Sequence, residues 1–147
     1  MKGFQHLIPS GWGVKEGVMV GMKTVLVVDD DEDVLTFVRS VLSKHYRVVT
    51  ASSGPEAIEV LGNEHPDAIL LDVIMTHLSD GFDCLRSIKQ NPATRGIPVI
   101  MMTSVNEVYD YRSQIEESFF PHDRWLDKPV KPEVLLKALQ DVLKSQG

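Results

Sequence analysis

Cysteine is nearly missing: Cys84 is the sole thiol in 147 residues. One thiol excludes an internal disulfide framework and a zinc site built on cysteines, and it fits a reducing, cytoplasmic setting. Long apolar runs are missing too. No stretch approaches the roughly 18 residues that a membrane span needs, so no membrane partner is expected. The opening segment MKGFQHLIPSGWGVKEGVMVGMK scatters its apolar residues among glycine, proline and charge, and it lacks the apolar core of a secretory signal. Positive charge is in deficit, with 15 Lys and Arg against 21 Asp and Glu and a net charge of −6. That balance argues against nucleic acid as a partner. The histidines His45, His65, His77 and His122 are scattered, and they read as surface residues rather than metal ligands.

Apolar residues make up 43% of the chain, enough for a sizeable core, and the length points to one domain. Residues 1–22 are set aside as an N-terminal arm, disordered or non-native, and the folded unit is read over 23–147. Within it two patterns alternate. TVLVVD, YRVVTA, DAILLD, IPVIMMTS and RWLDKP are short, Val- and Ile-rich runs typical of fully buried parallel strands. Between them lie segments with helical spacing. The first carries Val34, Val38, Val41 and Leu42. The second opens at Ser53-Gly54-Pro55-Glu56 with capping-box spacing and turns Ala57, Ile58 and Leu61 inward. The third runs over Gly81–Gln90 on Phe82, Leu85 and Ile88, with Cys84 as a small core residue. The fourth opens at Ser104 with Glu107 and faces Val108, Tyr111 and Ile115 inward. The last is KPEVLLKALQDVLK, started by Pro132. Five repeats of strand then helix predict an α/β fold, a parallel sheet covered on both faces. In such sheets ligands bind beyond the carboxyl ends of the strands.

Those ends carry chemistry. The first strand runs into Asp29 and Asp30, the third into Asp72, the fourth into Thr103 and the fifth into Lys128. Carboxylates gathered in one place repel unless a cation neutralises them. Oxygen ligands without histidine or cysteine favour a hard divalent ion, most naturally magnesium, whose open positions suit phosphate oxygens. Lys128 would meet such oxygens as a point charge and Thr103 would donate a hydrogen bond. Asp72, with acids on one side and Thr103 and Lys128 on the other, is the candidate to accept a phosphoryl group as an acyl phosphate. Asp31, Glu32 and Asp33 suit the start of the next helix, with Asp31 as its cap.

With these residues the chain resembles the CheY-like receiver domain of two-component response regulators. VLVVDDDED, AILLDVIM, PVIMMTS and WLDKP carry the resemblance, in that order, from Met22 to about Lys144. It implies a flavodoxin-like doubly wound sheet with strand order 2-1-3-4-5. It implies phosphorylation of Asp72 by a histidine kinase or phosphotransfer protein, and magnesium on Asp30 and Asp72, with Asp29 helping through water and the backbone carbonyl of Ile74 completing the set. Thr103 becomes the switch hydroxyl, and Trp125 holds a position where the family usually has a Tyr or Phe that signals the switch. Output is expected through the fourth helix, fifth strand and fifth helix, toward a partner protein, by shape change rather than turnover. With no second domain read after Lys144, a stand-alone regulator is expected.

The chain departs from the family at Thr76, where proline is usual, and at Gly81, which comes one residue late. Ile74 and Val105 are apolar where a water-orienting side chain would speed self-dephosphorylation, so slow loss of phosphate is expected. Two other readings compete. One is a phosphatase resembling the haloacid dehalogenase superfamily, with Asp29 as nucleophile and Asp31 as acid; it leaves Asp72 unexplained. The other is a degenerate receiver used as a scaffold.

Overall fold

A computed structural model describes residues 13–15, 18–20, 22–72, 78–103 and 123–144. The sheet is built from β3 (Thr24–Val28), β4 (Arg47–Ala51), β5 (Ala68–Leu71), β6 (Val99–Thr103) and β7 (Arg124–Asp127). All are parallel, in the order β4-β3-β5-β6-β7. Counted from Thr24 this is 2-1-3-4-5, the order expected. Four described helices connect or follow the strands: α1 (Glu32–Leu42), α2 (Gly54–Asn63), α3 (Leu78–Gln90) and α4 (Pro132–Lys144). The expected helix from Ser104, with Val108, Tyr111 and Ile115, lies outside the described residues, as do Ile74, Thr76 and Val105.

Strand alternation explains the two cores. Leu26, Val28, Ile69, Leu71, Val99 and Met101 point to one face and pack with Ala57 of α2 and Cys84, Leu85 and Ile88 of α3. Val25, Val27, Leu70, Ile100 and Met102 point to the other and pack with Leu35, Val38 and Leu42 of α1 and Leu135, Leu139 and Val142 of α4. Central strands buried on both faces have no polar alternation, which is why VLVV and AILL read as continuous apolar runs.

Local signals set the helix starts. Asp31 caps α1, its side chain accepting from Asp33 N at 2.9 Å, and Glu32 and Asp33 fill the first turn, where the helix dipole favours acids. Ser53 caps α2 by accepting from Glu56 N at 3.2 Å. Glu56 reaches back one residue further than a capping box requires, taking both the backbone N–H and the hydroxyl of Ser52.

Two helix faces are rotated from the sequence expectation. On α1 the buried line is Leu35, Val38 and Leu42, while Val34 and Val41 flank it, partly buried. On α2 Ala57 and Leu61 face the core as expected and Val60 joins them, while Ile58, also expected inward, is 41% exposed. Those three sit at i, i+3 and i+4, one stripe of a helix, and Ile58 falls a residue off it. The arm also holds structure not read from its sequence. β1 (Gly13–Lys15) and β2 (Val18–Val20) form an antiparallel ladder with Val14 opposite Met19; the signal was the β-prone Val14, Val18 and Val20.

Candidate functional site

The chain runs from β3 outward to β4 at the edge and returns to β5 on β3's other side. The switch point of the sheet therefore lies between β3 and β5, where α/β folds open a crevice beyond the carboxyl ends. Asp29 follows β3 and Asp72 follows β5. Their backbones are pinned by the last rungs of the sheet, Asp29 N to Ala51 O at 3.1 Å and Asp72 N to Val28 O at 3.0 Å. Both acids are buried, and Asp30 is half-buried beside them. Carboxylate oxygens of Asp29, Asp30 and Asp72 lie within 4.8 Å of one another.

Lys128 follows β7 and reaches across to this cluster. Its Nζ donates to Asp29 Oδ2 at 3.0 Å and to Asp72 Oδ2 at 2.9 Å. Partial burial pushes the Lys128 pKa down, but hydrogen bonds to Asp72 and Asp29 and the charges of both acids push it up, and the net direction is upward. The ammonium is thus held charged against two carboxylates. The Lys128–Pro129 peptide is cis. The second oxygen of Asp29 accepts from Asp31 N at 2.9 Å, so this buried acid also sets the turn into α1.

The five consecutive acids therefore divide by geometry. Asp29 is fully buried, Asp30 half-buried, and Asp31, Glu32 and Asp33 are exposed at the helix start. Thr103 ends β6, with its backbone in register with Asp127 of β7; its side chain lies outside the described residues. Trp125 is half-buried against the core face covered by α2 and α3. Its indole Nε1 donates to Asp127 Oδ1 at 2.8 Å. Sequence reasoning did not single out Asp127; the available signal was its place two residues after Trp125, on the same face of a strand.

It also missed a buried ion pair at the opposite end of the sheet. Lys89 Nζ, near the end of α3, donates to Asp123 Oδ1 at 2.8 Å, to Ile97 O at 3.1 Å and to Arg95 O at 3.3 Å. Asp123 Oδ1 also accepts from Val99 N at 2.7 Å. Burial lowers the Lys89 pKa and Asp123 partly offsets this. This pair ties the carboxyl end of α3 to the amino ends of β6 and β7 and lies apart from the acidic crevice.

A buried carboxylate beside two further acids and a charged lysine, at the switch point of a doubly wound parallel sheet, defines the class: an α/β fold with an acidic crevice at its ligand-binding end. The comparisons make it specific. The family model for the response regulator receiver domain matches residues 25–140, and the chain belongs to that family. Protein PilH of Pseudomonas aeruginosa is 31% identical over 127 residues, covering 83% of this chain and 98% of PilH. The chemotaxis protein CheY4 of Vibrio cholerae has a similar structure, with a TM-score of 0.74 and 32% identity over 84% of this chain and 100% of that one. The receiver domain of the sensor histidine kinase PA1611 from Pseudomonas aeruginosa, solved with magnesium in its active-site cleft, has a TM-score of 0.73 and 26% identity over 84% of this chain and 99% of that one. Other curated relatives are longer proteins, and the chain spans 15% to 50% of their length.

The domain is a phospho-acceptor signalling module, not an enzyme. Receiver domains of this kind work with histidine kinases or phosphotransfer proteins and with downstream effectors. Nothing favours the phosphatase alternative. Asp29, its proposed nucleophile, is fully buried, with one oxygen on Lys128 and the other on Asp31 N–H. Among the described residues no helix is long and apolar enough to cross a membrane.

Proposed function

We propose that Asp72 is the phosphoryl acceptor of this receiver, loaded from a histidine kinase or phosphotransfer protein with magnesium in the acidic crevice. The observation that carries this reading is the placement of buried Asp72 within 4.8 Å of both Asp29 and Asp30 and in contact with Lys128. The donor set fits magnesium: among the described residues it is three carboxylates with no nitrogen or sulfur ligand, the chemistry hard divalent cations select. Asp29, Asp30 and Asp72 would hold the ion, with the backbone carbonyl of Ile74 as a further ligand. Bound there, magnesium supplies positive charge to the phosphoryl oxygens.

The chain's own groups do the rest. An Asp72 carboxylate oxygen attacks phosphorus. The bond from phosphorus to the donor's imidazole nitrogen breaks, and its electron pair returns to the ring, which takes up a proton. Lys128 shifts from the Asp72 carboxylate to the arriving phosphoryl oxygens, and Thr103 donates to another. Positioning and charge neutralisation are what phosphoryl transfer chiefly requires. The consequence is a shift between two pre-existing arrangements of a surface that includes β7 and α4, read by a partner protein. We read residues 23–147 as the receiver unit and 1–22 as an arm preceding it.

Acetyl phosphate tests this without the cognate kinase. Wild type should gain one phosphoryl group when magnesium is present and none in EDTA. Asp72→Asn should gain none under either condition, and Lys128→Met should still label but fail to change conformation. Metal-independent labelling, or labelling of Asp72→Asn at the wild-type level, would sink the reading.

A further inference from the structure

Asp127 stands between the acidic crevice and the surface of the edge strand. Its carboxylate Oδ1 accepts the indole N–H of Trp125 at 2.8 Å. It is also the residue immediately before Lys128, whose ammonium is held by Asp29 and Asp72. Trp125 and Asp127 alternate onto the same face of β7, the face on which Trp125 packs against the cluster of Leu71, Met101 and Leu85. An indole has one donor. Here a carboxylate takes it, a charge-assisted bond stronger than a neutral one. The ring of Trp125 is therefore oriented by a side chain whose Cα is one peptide, about 3.8 Å, from that of the site's lysine.

We propose that Asp127 is a positioning residue: it latches the Trp125 indole on the edge of the sheet and ties the ring's orientation to the position of Lys128. When Lys128 leaves the Asp72 carboxylate for phosphoryl oxygens, the backbone at 127–128, where β7 ends, is the first to adjust. The Asp127 carboxylate then moves relative to the indole, and the latch lengthens or carries the ring with it. The route runs along β7 itself and does not require Thr103. It rests on the reading of Asp72 as acceptor for its second half only; the latch in the unphosphorylated domain stands without it.

Trp12 is the only other tryptophan, so Trp12→Phe leaves Trp125 as the sole indole reporter. In that background, acrylamide quenching is measured with no phosphoryl mimic for the parent, Asp127→Ala and Asp127→Asn. Removal of the acceptor should raise the quenching constant about twofold in Asp127→Ala, while Asp127→Asn, whose amide oxygen still accepts, stays near the parent. Equal quenching in all three, or an Asn variant that behaves like Ala, overturns the latch. Magnesium and beryllium fluoride are then added. The parent and Asp127→Asn should shift their Trp125 emission and Asp127→Ala should lose that shift; an unchanged shift in Asp127→Ala overturns the coupling. Acetyl phosphate labelling is followed on the same proteins. A parent that takes no phosphate contradicts the Asp72 reading and with it the coupling, while the quenching result alone decides the latch.

Discussion

Asp29, Asp72 and Lys128 come from three different strand ends, and each is useful only because the other two arrive. Two buried carboxylates with one ammonium between them leave negative charge in excess, and the half-buried Asp30 adds to it. That excess is what a divalent cation would neutralise. Lys89 and Asp123 show the contrasting case, one cation and one anion buried together with every neighbour employed. Breaking such a pair strands a buried charge, so Lys89→Met should cost about 3–5 kcal/mol in urea unfolding. The double change Lys89→Met with Asp123→Leu should not recover the loss, because Val99 N–H and the carbonyls of Arg95 and Ile97 lose partners at roughly 1–3 kcal/mol each. Full recovery in the double variant would show that the backbone contacts contribute little. Burial also pushes the Cys84 thiol up to about 12. The folded protein then holds on the order of a thousandfold less thiolate at pH 8 than an ordinary thiol. Native Cys84 should resist a thiol reagent that modifies it promptly in urea. The sign for stability follows: the folded state keeps this proton more tightly, so stability falls as pH rises from the ordinary thiol range toward 12.

At the scale of elements, starts were more legible than faces. Asp31 and Ser53 announce themselves as caps because a short oxygen-bearing side chain ahead of an apolar-periodic run has few other uses. Ser53→Ala should destabilise the domain by about 1 kcal/mol, read as a lowered urea midpoint at unchanged slope. Orientation about the helix axis was harder. Ile58 is apolar and lies next to Ala57 in sequence, but the sheet surface under α2 is satisfied by Ala57, Val60 and Leu61. A one-residue error in phase costs nothing in the sequence pattern and turns a side chain about 100° in space. The Trp125–Asp127 bond was hidden for a related reason. Its residues are legible as strand, but whether an aspartate holds a neighbouring indole depends on which face the strand presents and what packs there. Lys89 and Asp123 are 34 positions apart, a pairing that only the assembled sheet brings about.

At the scale of the molecule, strand order decides where chemistry can occur. VLVV and AILL read as buried parallel strands because both faces are covered, and acids directly after them fall at carboxyl ends by construction. The placement of these residues at strand ends was therefore legible once the sheet was inferred, and Asp29, Asp30, Asp72 and Lys128 converge as that inference requires. The division of the acid run into buried Asp29, half-buried Asp30 and three exposed helix-start acids follows from where β3 stops. Asp29 and Asp72 are the two buried carboxylates for which a nucleophilic role has been argued, and the covalent products they would form lie at different positions. The most direct measurement treats the protein with acetyl phosphate and magnesium, reduces the acyl phosphate with borohydride, and sequences the peptides by mass spectrometry. Reduction converts a phosphorylated aspartate to homoserine. The expected result is homoserine at position 72, absent when EDTA replaces magnesium. Homoserine at position 29, or at no position while phosphate is incorporated elsewhere, would contradict the assignment of Asp72 as acceptor.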